Sequence, residues 1–233
     1  MPAFDRRVFL KSQGKGKQRR DTWLPIVIGV LMIAGVIGIV FLLSNMSNRA
    51  SESAGDGELI DYEEKGNIRL ADYQNPGIEI LNESESDDPP GALWDDYIEK
   101  CETKKLPEDL VDEAYTDTRK EYEGFAEVSG TTYADLLSEY GMTEETVMSV
   151  AEDTVKGRLV AKTIALRENI TIDDTVMEEQ LMELMGYEEV DREPIDDLIS
   201  DYVENYGCRP RDDVYVEVVK QWLYDRESGK QGS

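Results

Sequence analysis

The chain has 233 residues, with 25 Lys+Arg against 51 Asp+Glu, no His, two Cys and a formal charge of −26. That length allows one modest domain plus attachments. The acidic balance leaves no Lys/Arg stripe to neutralise phosphates, so no nucleic-acid partner is expected. The absence of histidine excludes a Ser-His-Asp triad, a Cys-His dyad and the usual zinc sites. No acid/base or metal constellation appears among the many carboxylates, so neither an enzyme nor a cofactor is expected.

Charge is split along the chain. Residues 1–21 form a basic tail with seven Lys/Arg and two Asp, residues 22–46 carry none, and residues 47–233 hold 18 basic and 49 acidic groups. The run Trp23 to Leu43, WLPIVIGVLMIAGVIGIVFLL, has no ionisable side chain and no Ser, Thr, Asn or Gln. As a helix at about 1.5 Å per residue its 21 residues reach roughly 31 Å, the thickness of a bilayer core. Residues 22–46 are therefore expected to be a transmembrane signal anchor, contacting lipid through residues 23–43. The seven basic residues before the span put the N-terminus in the cytoplasm by the positive-inside rule. The C-terminal part then lies outside, on a single-pass cell-membrane protein. Its apolar run exceeds the roughly 7–15 residues of a signal-peptide core, which favours an uncleaved anchor. Gly29, Gly35 and Gly38 would let two spans pack, so a homodimer is an open expectation.

Residues 47–91 read as a flexible linker with a short strand-like segment. Its spacer SNMSNRASESAGDGE is small and polar. The stretch LIDYEEKGNIRLADYQNPGIEI reads as one or two short strands broken by Gly66 and Asn75-Pro76-Gly77. The run NESESDDPPG, acidic and Pro-rich, reads as linker again.

From Leu93 onward the pattern is helical, and the fold class is all-α with six or seven helices over residues 92–228. Leu93–Thr103 is a short candidate. Pro107 opens the next helix, which runs to Val128 and stops at Ser129-Gly130. Thr132 caps a short helix ending at Tyr140-Gly141. Thr143 caps a long one with a stripe of Val147, Met148, Ala151, Val155, Leu159, the Lys162 stem and Leu166. Asn169 to Ile172 breaks it. Asp173 starts a helix to Met185, stopped by Gly186; Pro194–Tyr206 and Asp212–Glu227 follow. Residues 229–233 are expected to be a disordered tail.

Three passages carry a family resemblance. Leu106-Pro107-Glu108-Asp109-Leu110-Val111 resembles the opening of the trigger factor C-terminal, substrate-cradling domain, which is SurA-like. Tyr133-Ala134-Asp135-Leu136-Leu137, then Tyr140-Gly141-Met142-Thr143-Glu144-Glu145, resembles its "Y-L…G-M-T-E-E" passage. Val155-Lys156-Gly157-Arg158-Leu159-Val160, followed by Glu168-Asn169-Ile170-Thr171-Ile172-Asp173-Asp174, is similar to its next helix and turn. These passages occur in the family's order over about residues 93–185.

The departures are informative. The family's proteins begin with a ribosome-docking domain bearing a basic Gly-Phe-Arg loop, where this chain has its apolar span. Leu70 to Ile80 is similar to the strand that precedes the family's FKBP-like prolyl isomerase domain. Only residues 82–91 then separate it from the helices, too few for an isomerase. The resemblance therefore implies a holdase-type chaperone that cradles unfolded or newly exported polypeptides, assisting folding and transport without isomerase activity. Its client-binding candidates are Tyr133, Tyr140, Met142, Met148, Met177, Leu181, Met182, Leu184, Met185 and Tyr187, because Met and aromatic side chains make adaptable apolar contacts. The other reading, favoured position by position, is that these residues fill the domain's own core. The alternative is a bitopic cell-envelope protein whose acidic helical domain binds one specific partner.

Three smaller features complete the reading. Asp61 to Asp72 resembles a calcium-binding EF-hand loop, but Lys65 stands at a ligand position and no flanking helices are evident. Cys101 and Cys208 lie on the oxidising side of the expected topology, so a disulfide between them is possible, as are two free thiols. Asn45-Met46-Ser47, Asn82-Glu83-Ser84 and Asn169-Ile170-Thr171 match a glycosylation sequon, relevant only to a eukaryotic secretory route, whereas the resemblance is bacterial.

Overall fold

The computed structural model describes residues 56–78, 86–187 and 194–231. The expected basic tail 1–21 and transmembrane anchor 22–46 lie outside the described residues. Among the described residues, no helix is long and apolar enough to cross a membrane. They contain seven helices: α1 (Pro89–Lys100), α2 (Glu108–Val128), α3 (Tyr133–Glu139), α4 (Glu144–Glu168), α5 (Asp174–Met185), α6 (Ile195–Asn205) and α7 (Pro210–Gln231). Two two-residue strands, β1 (Ile68–Arg69) and β2 (Glu102–Thr103), pair antiparallel.

Local chemistry sets the helix ends. The Thr132 hydroxyl accepts from the Asp135 N–H, and Asp173 accepts from Val176. Thr143 and Thr146 bond each other's backbone N–H in a reciprocal cap, which satisfies two donors left over by the first turn of α4. Asn169 ends α4 in the left-handed region at φ 55°, a conformation its short amide tolerates better than most side chains.

Four boundaries differ from the sequence reading. Asp88-Pro89-Pro90 opens α1 rather than closing a linker, because Asp88 caps Gly91 and the prolines occupy positions without a helical N–H partner. The same helix stops at Lys100, since Cys101 is extended and leads into β2. Residues 56–78 are docked on the helices rather than serving as flexible linker, with Tyr62, Ile68 and Pro76 buried. Helix α7 runs from Pro210 to Gln231, past Glu227 and through part of the expected tail.

Three apolar clusters divide the body. The main one joins α1, α4, α7 and residues 56–78 around Tyr97, Val155, Leu159, Ile164, Val219 and Leu223. A second, around Met177, Leu181, Leu198, Tyr202 and Val214, joins α5, α6 and α7. The third lies where α2 ends, α3 crosses and α4 begins, around Tyr122, Ala126, Leu136, Leu137 and Val147. The buried side of α2 is Ala114, Thr118, Tyr122 and Ala126, a strict four-residue spacing along one face. Packed along α4, it forms an arm closed at its tip by α3.

Candidate client-binding surface

Among the described residues, the large apolar side chains most open to solvent are Val128 (74% exposed), Tyr140 (52%) and Leu166 (40%). Two of the three belong to the arm tip. Val128 ends α2, two positions past Ala126 and so about 200° around the helix from the buried face. Tyr140 follows α3, and Met142, half-buried, packs against the tip cluster with Phe125 and Tyr133.

The tip is fixed by polar contacts at its side. The Tyr115 and Tyr133 hydroxyls both donate to Glu144 Oε2, at 2.8 and 3.1 Å. The Arg119 guanidinium lies 4.9 Å from the Tyr133 ring centroid, within cation–π range, and pairs with Glu123. Burial, together with the Glu144 carboxylate beside it, pushes the Tyr133 phenol up to about 12. It therefore stays a neutral donor at any physiological pH.

The ten sequence candidates separate into three groups. Tyr133, Tyr140, Met142 and Met148 lie on the arm, with Tyr140 exposed and the other three half-buried. Met148 lines a cleft of about 400 Å³ with Leu106, Val111, Lys104, Asp112 and Glu152. Leu184 and Tyr187 are half-buried at the end of α5. Met177, Leu181, Met182 and Met185 are buried in the second cluster and face Leu198, Tyr202 and Val214. Met177, Leu181 and Met185 recur every four residues and Met182 lies three before Met185, which turns one face of α5 inward, so this quartet forms the domain's own core and offers no surface to a client.

Val128 and Leu166 were not among the candidates. The sequence stripe of α4 extends to Leu166, but the buried residues end at Ala165 and Leu166 is exposed. A helical projection of α2 places Val128 off the inward face, and that signal was available in the sequence.

At the opposite end of the arm lies a base of buried charges. The Lys162 ammonium pairs with Asp212 Oδ1 at 2.7 Å, both side chains being only 2–3% exposed. Arg158 holds Asp213 through two bonds of 2.8 Å, and the Tyr202 hydroxyl donates to the same carboxylate at 2.9 Å. Arg209 pairs with Glu113 on α2 and reaches Asp212 at 3.5 Å. Burial works against ionisation of Glu113, but the Arg209 guanidinium outweighs it and holds the carboxyl below its ordinary value. No buried side-chain nitrogen or oxygen among the described residues lacks a hydrogen-bond partner.

The Asp56 carboxylate accepts the N–H groups of Arg211 and Asp212, the orphan donors of the first turn of α7, at 3.3 and 3.1 Å. Burial first, and the neighbouring Asp212 charge second, raise its carboxyl to about 6.

The thiols are separate, which decides between the two possibilities for Cys101 and Cys208: both are free. Cys101 is buried between α1 and the strand pair, where its sulfur accepts the Ala71 N–H at 3.4 Å. Cys208 sits before α7, where its thiol donates to Asp117 Oδ2 at 3.1 Å. Burial and the carboxylates of Glu113 and Asp117 push the Cys208 thiol up, which keeps it protonated and inert. At the EF-hand-like stretch, Arg167 pairs with Asp61 and Glu63 at 2.8 Å each, and no metal-ligand cluster occurs among the described residues.

Comparison with curated proteins and with solved structures found no match. Comparison with protein families found one, described as the bacterial trigger factor protein C-terminus, over residues 79–225. The matched range spans α1 to nearly the end of α7 and covers more than half of the chain, so the chain belongs to the trigger factor C-terminus family.

Proposed function

We propose that the chain is a membrane-anchored, extracytoplasmic holdase that cradles unfolded or newly exported polypeptides without prolyl isomerase activity. The observation that carries this reading is the arm tip, where an anionic helical domain of a polypeptide-binding family leaves Val128 and Tyr140 open beside Met142. Apolar side chains at a mobile-client surface give contact without a fixed sequence, and a dense acidic surround keeps such a surface soluble. The apolar run Trp23 to Leu43 and the basic tail before it support the anchor and its orientation. An anchored cradle meets clients at raised effective concentration as they leave an export channel. Only residues 81–88 separate the segment similar to the isomerase-preceding strand from α1, which supports a cradle without an isomerase.

Full-length protein in lipid nanodiscs should suppress aggregation of several unrelated unfolded proteins in substoichiometric titrations, with no preference for native ones. Capture of one native partner at fixed stoichiometry, with no effect on aggregation, would replace this reading by that of a dedicated envelope interaction protein. In intact cells, external protease should remove the helical domain and spare residues 1–21.

A further inference from the structure

Residues 56–78 lie before the matched range 79–225 yet are built into the helical body. Asp56 accepts the N–H groups of Arg211 and Asp212 in the first turn of α7, and the Gly57 N–H donates to Asp212 at 3.1 Å. Gly57 is close-packed there, at φ +81° with a Cβ position only 2.7 Å from Arg211 Cδ. The turn that follows is bonded within itself: the Gly66 N–H donates to the Glu63 carbonyl at 3.0 Å, and the Asn67 N–H to the Tyr62 carbonyl at 2.9 Å. It is bonded to α4 as well, through the Tyr62 N–H and the buried Thr163 hydroxyl at 3.1 Å. Tyr62 and Ile68 belong to the main core. The chain therefore joins the body at Asp56, 33 residues before α1 begins.

The point of entry is the base of the arm. Asp212, which takes the Gly57 N–H, pairs with Lys162 on α4 and with Arg209, and Arg209 pairs with Glu113 on α2. From Glu113 to Val128 at the tip, α2 rises about 22 Å.

We propose that this entry fixes a short tether to the rigid end of the arm, so that the exposed tip serves unfolded segments emerging at, or still joined to, the same bilayer. This deepens the membrane-anchored holdase reading and rests on it. Twelve residues, 44–55, connect the end of the apolar run at Leu43 to Asp56. A polypeptide spans at most about 3.5 Å per residue, so Asp56 stays within about 42 Å of Leu43 whatever path those residues take. With the base and the length of α2 included, the tip stays within roughly 80 Å of the bilayer. An extended chain leaving the membrane offers it only about its nearest 23 residues. Were residues 56–88 part of the tether, its 45 residues would span up to about 160 Å.

Tether length also sets the effective concentration of the tip for a partner in the same membrane, which falls roughly as the −3/2 power of that length. The full-length chain in nanodiscs tests this, with a carboxymethylated, permanently unfolded segment anchored to lipid in the same disc. The comparison is an insertion variant carrying 33 Gly/Ser residues after Ser53, equal in length to residues 56–88. Capture of the same-disc segment, read by energy transfer in competition with the free segment, should weaken about sevenfold as the tether grows from 12 to 45 residues. Affinity for the segment free in solution should not change. Had the tether run on to α1, the same insertion would weaken capture only about twofold. A twofold loss, or none, overturns the proposal and leaves the holdase reading standing. Failure of both proteins to bind the free segment overturns the holdase reading as well, and failure to enter nanodiscs overturns the anchor.

Discussion

The two ends of the arm invert the usual arrangement in opposite ways. At the base, Lys162, Arg158, Asp212 and Asp213 are charged residues drawn into the interior and paired there. At the tip, Val128 and Tyr140 are apolar residues left outside. Buried ion pairs demand fixed geometry, because each lone pair and proton must find its partner. Apolar contact demands none. The base is thus suited to holding one arrangement of α2, α4, α6 and α7, and the tip to accepting many clients.

Breaking the base should have the largest effect on stability. Lys162→Ala leaves Asp212 buried without its ammonium partner, and an orphaned charge of this kind costs about 3–5 kcal/mol. Urea denaturation should show that loss as a lower midpoint at unchanged slope. Combining Lys162→Met with Asp212→Asn removes both charges and keeps an acceptor for the Gly57 N–H, so most of the loss should return. A double variant as unstable as Lys162→Ala would show that the pair is needed for its charge and not merely for its satisfaction.

The same base sharpens the comparison through pH, with a smaller effect. The Asp56 carboxyl is raised from 3.8 to about 6 by burial and by Asp212. A raised carboxyl means the folded state favours its neutral form. Its contribution to stability is therefore complete below about pH 4 and is lost as pH rises through 6. Glu113 and Asp61, lowered by Arg209 and Arg167 against the effect of their own burial, have the opposite slope: their contributions stand above the ordinary carboxyl range and fade in acid. Measuring urea midpoints at pH 4.5 and 7.5 in both wild type and Asp56→Asn isolates the first effect. The wild type should lose about 1–3 kcal/mol more than the variant across that interval. Equal changes in the two proteins would mean that Asp56 is not seated on α7.

Much of the helical body was legible because helix starts and stops are chemical and local. Thr132, Thr143 and Asp173 cap where they were expected to, and Gly186 ends α5 in the left-handed region at φ 70°. The base was not legible. In the sequence Lys162 offers only its apolar stem to the stripe of α4, since nothing local links it to Asp212, 50 positions later in the chain. Long-range pairing also explains residues 56–78: an Asp-Gly pair in a polar stretch looks like spacer until the first turn of α7 supplies its partners. At the tip, the resemblance brought Tyr140 and Met142 forward. It also brought in Met177, Leu181, Met182 and Met185, whose adaptability suits a client surface as well as it suits a core. Only the packing of α5 on α6 and α7 separates those two uses.

Changes at the tip should barely alter stability, and that is where the two ends differ most. Val128→Ser and Tyr140→Ser replace exposed apolar groups that support no cluster, so the double variant should stay within about 0.5 kcal/mol of wild type. Its capacity to suppress aggregation should nonetheless fall by about half or more, because apolar area offered to a client contributes about 25 cal/mol per Å². Leu166→Ser, at the far end of α4, serves as the control: it removes an exposed apolar group of similar kind away from the tip. If Leu166→Ser impaired clients as much as the tip pair did, exposed apolar surface anywhere would suffice and the arm tip would lose its special place. Impairment confined to the tip pair, at unchanged urea midpoint, would separate the adaptable end of the arm from the end that holds it in shape.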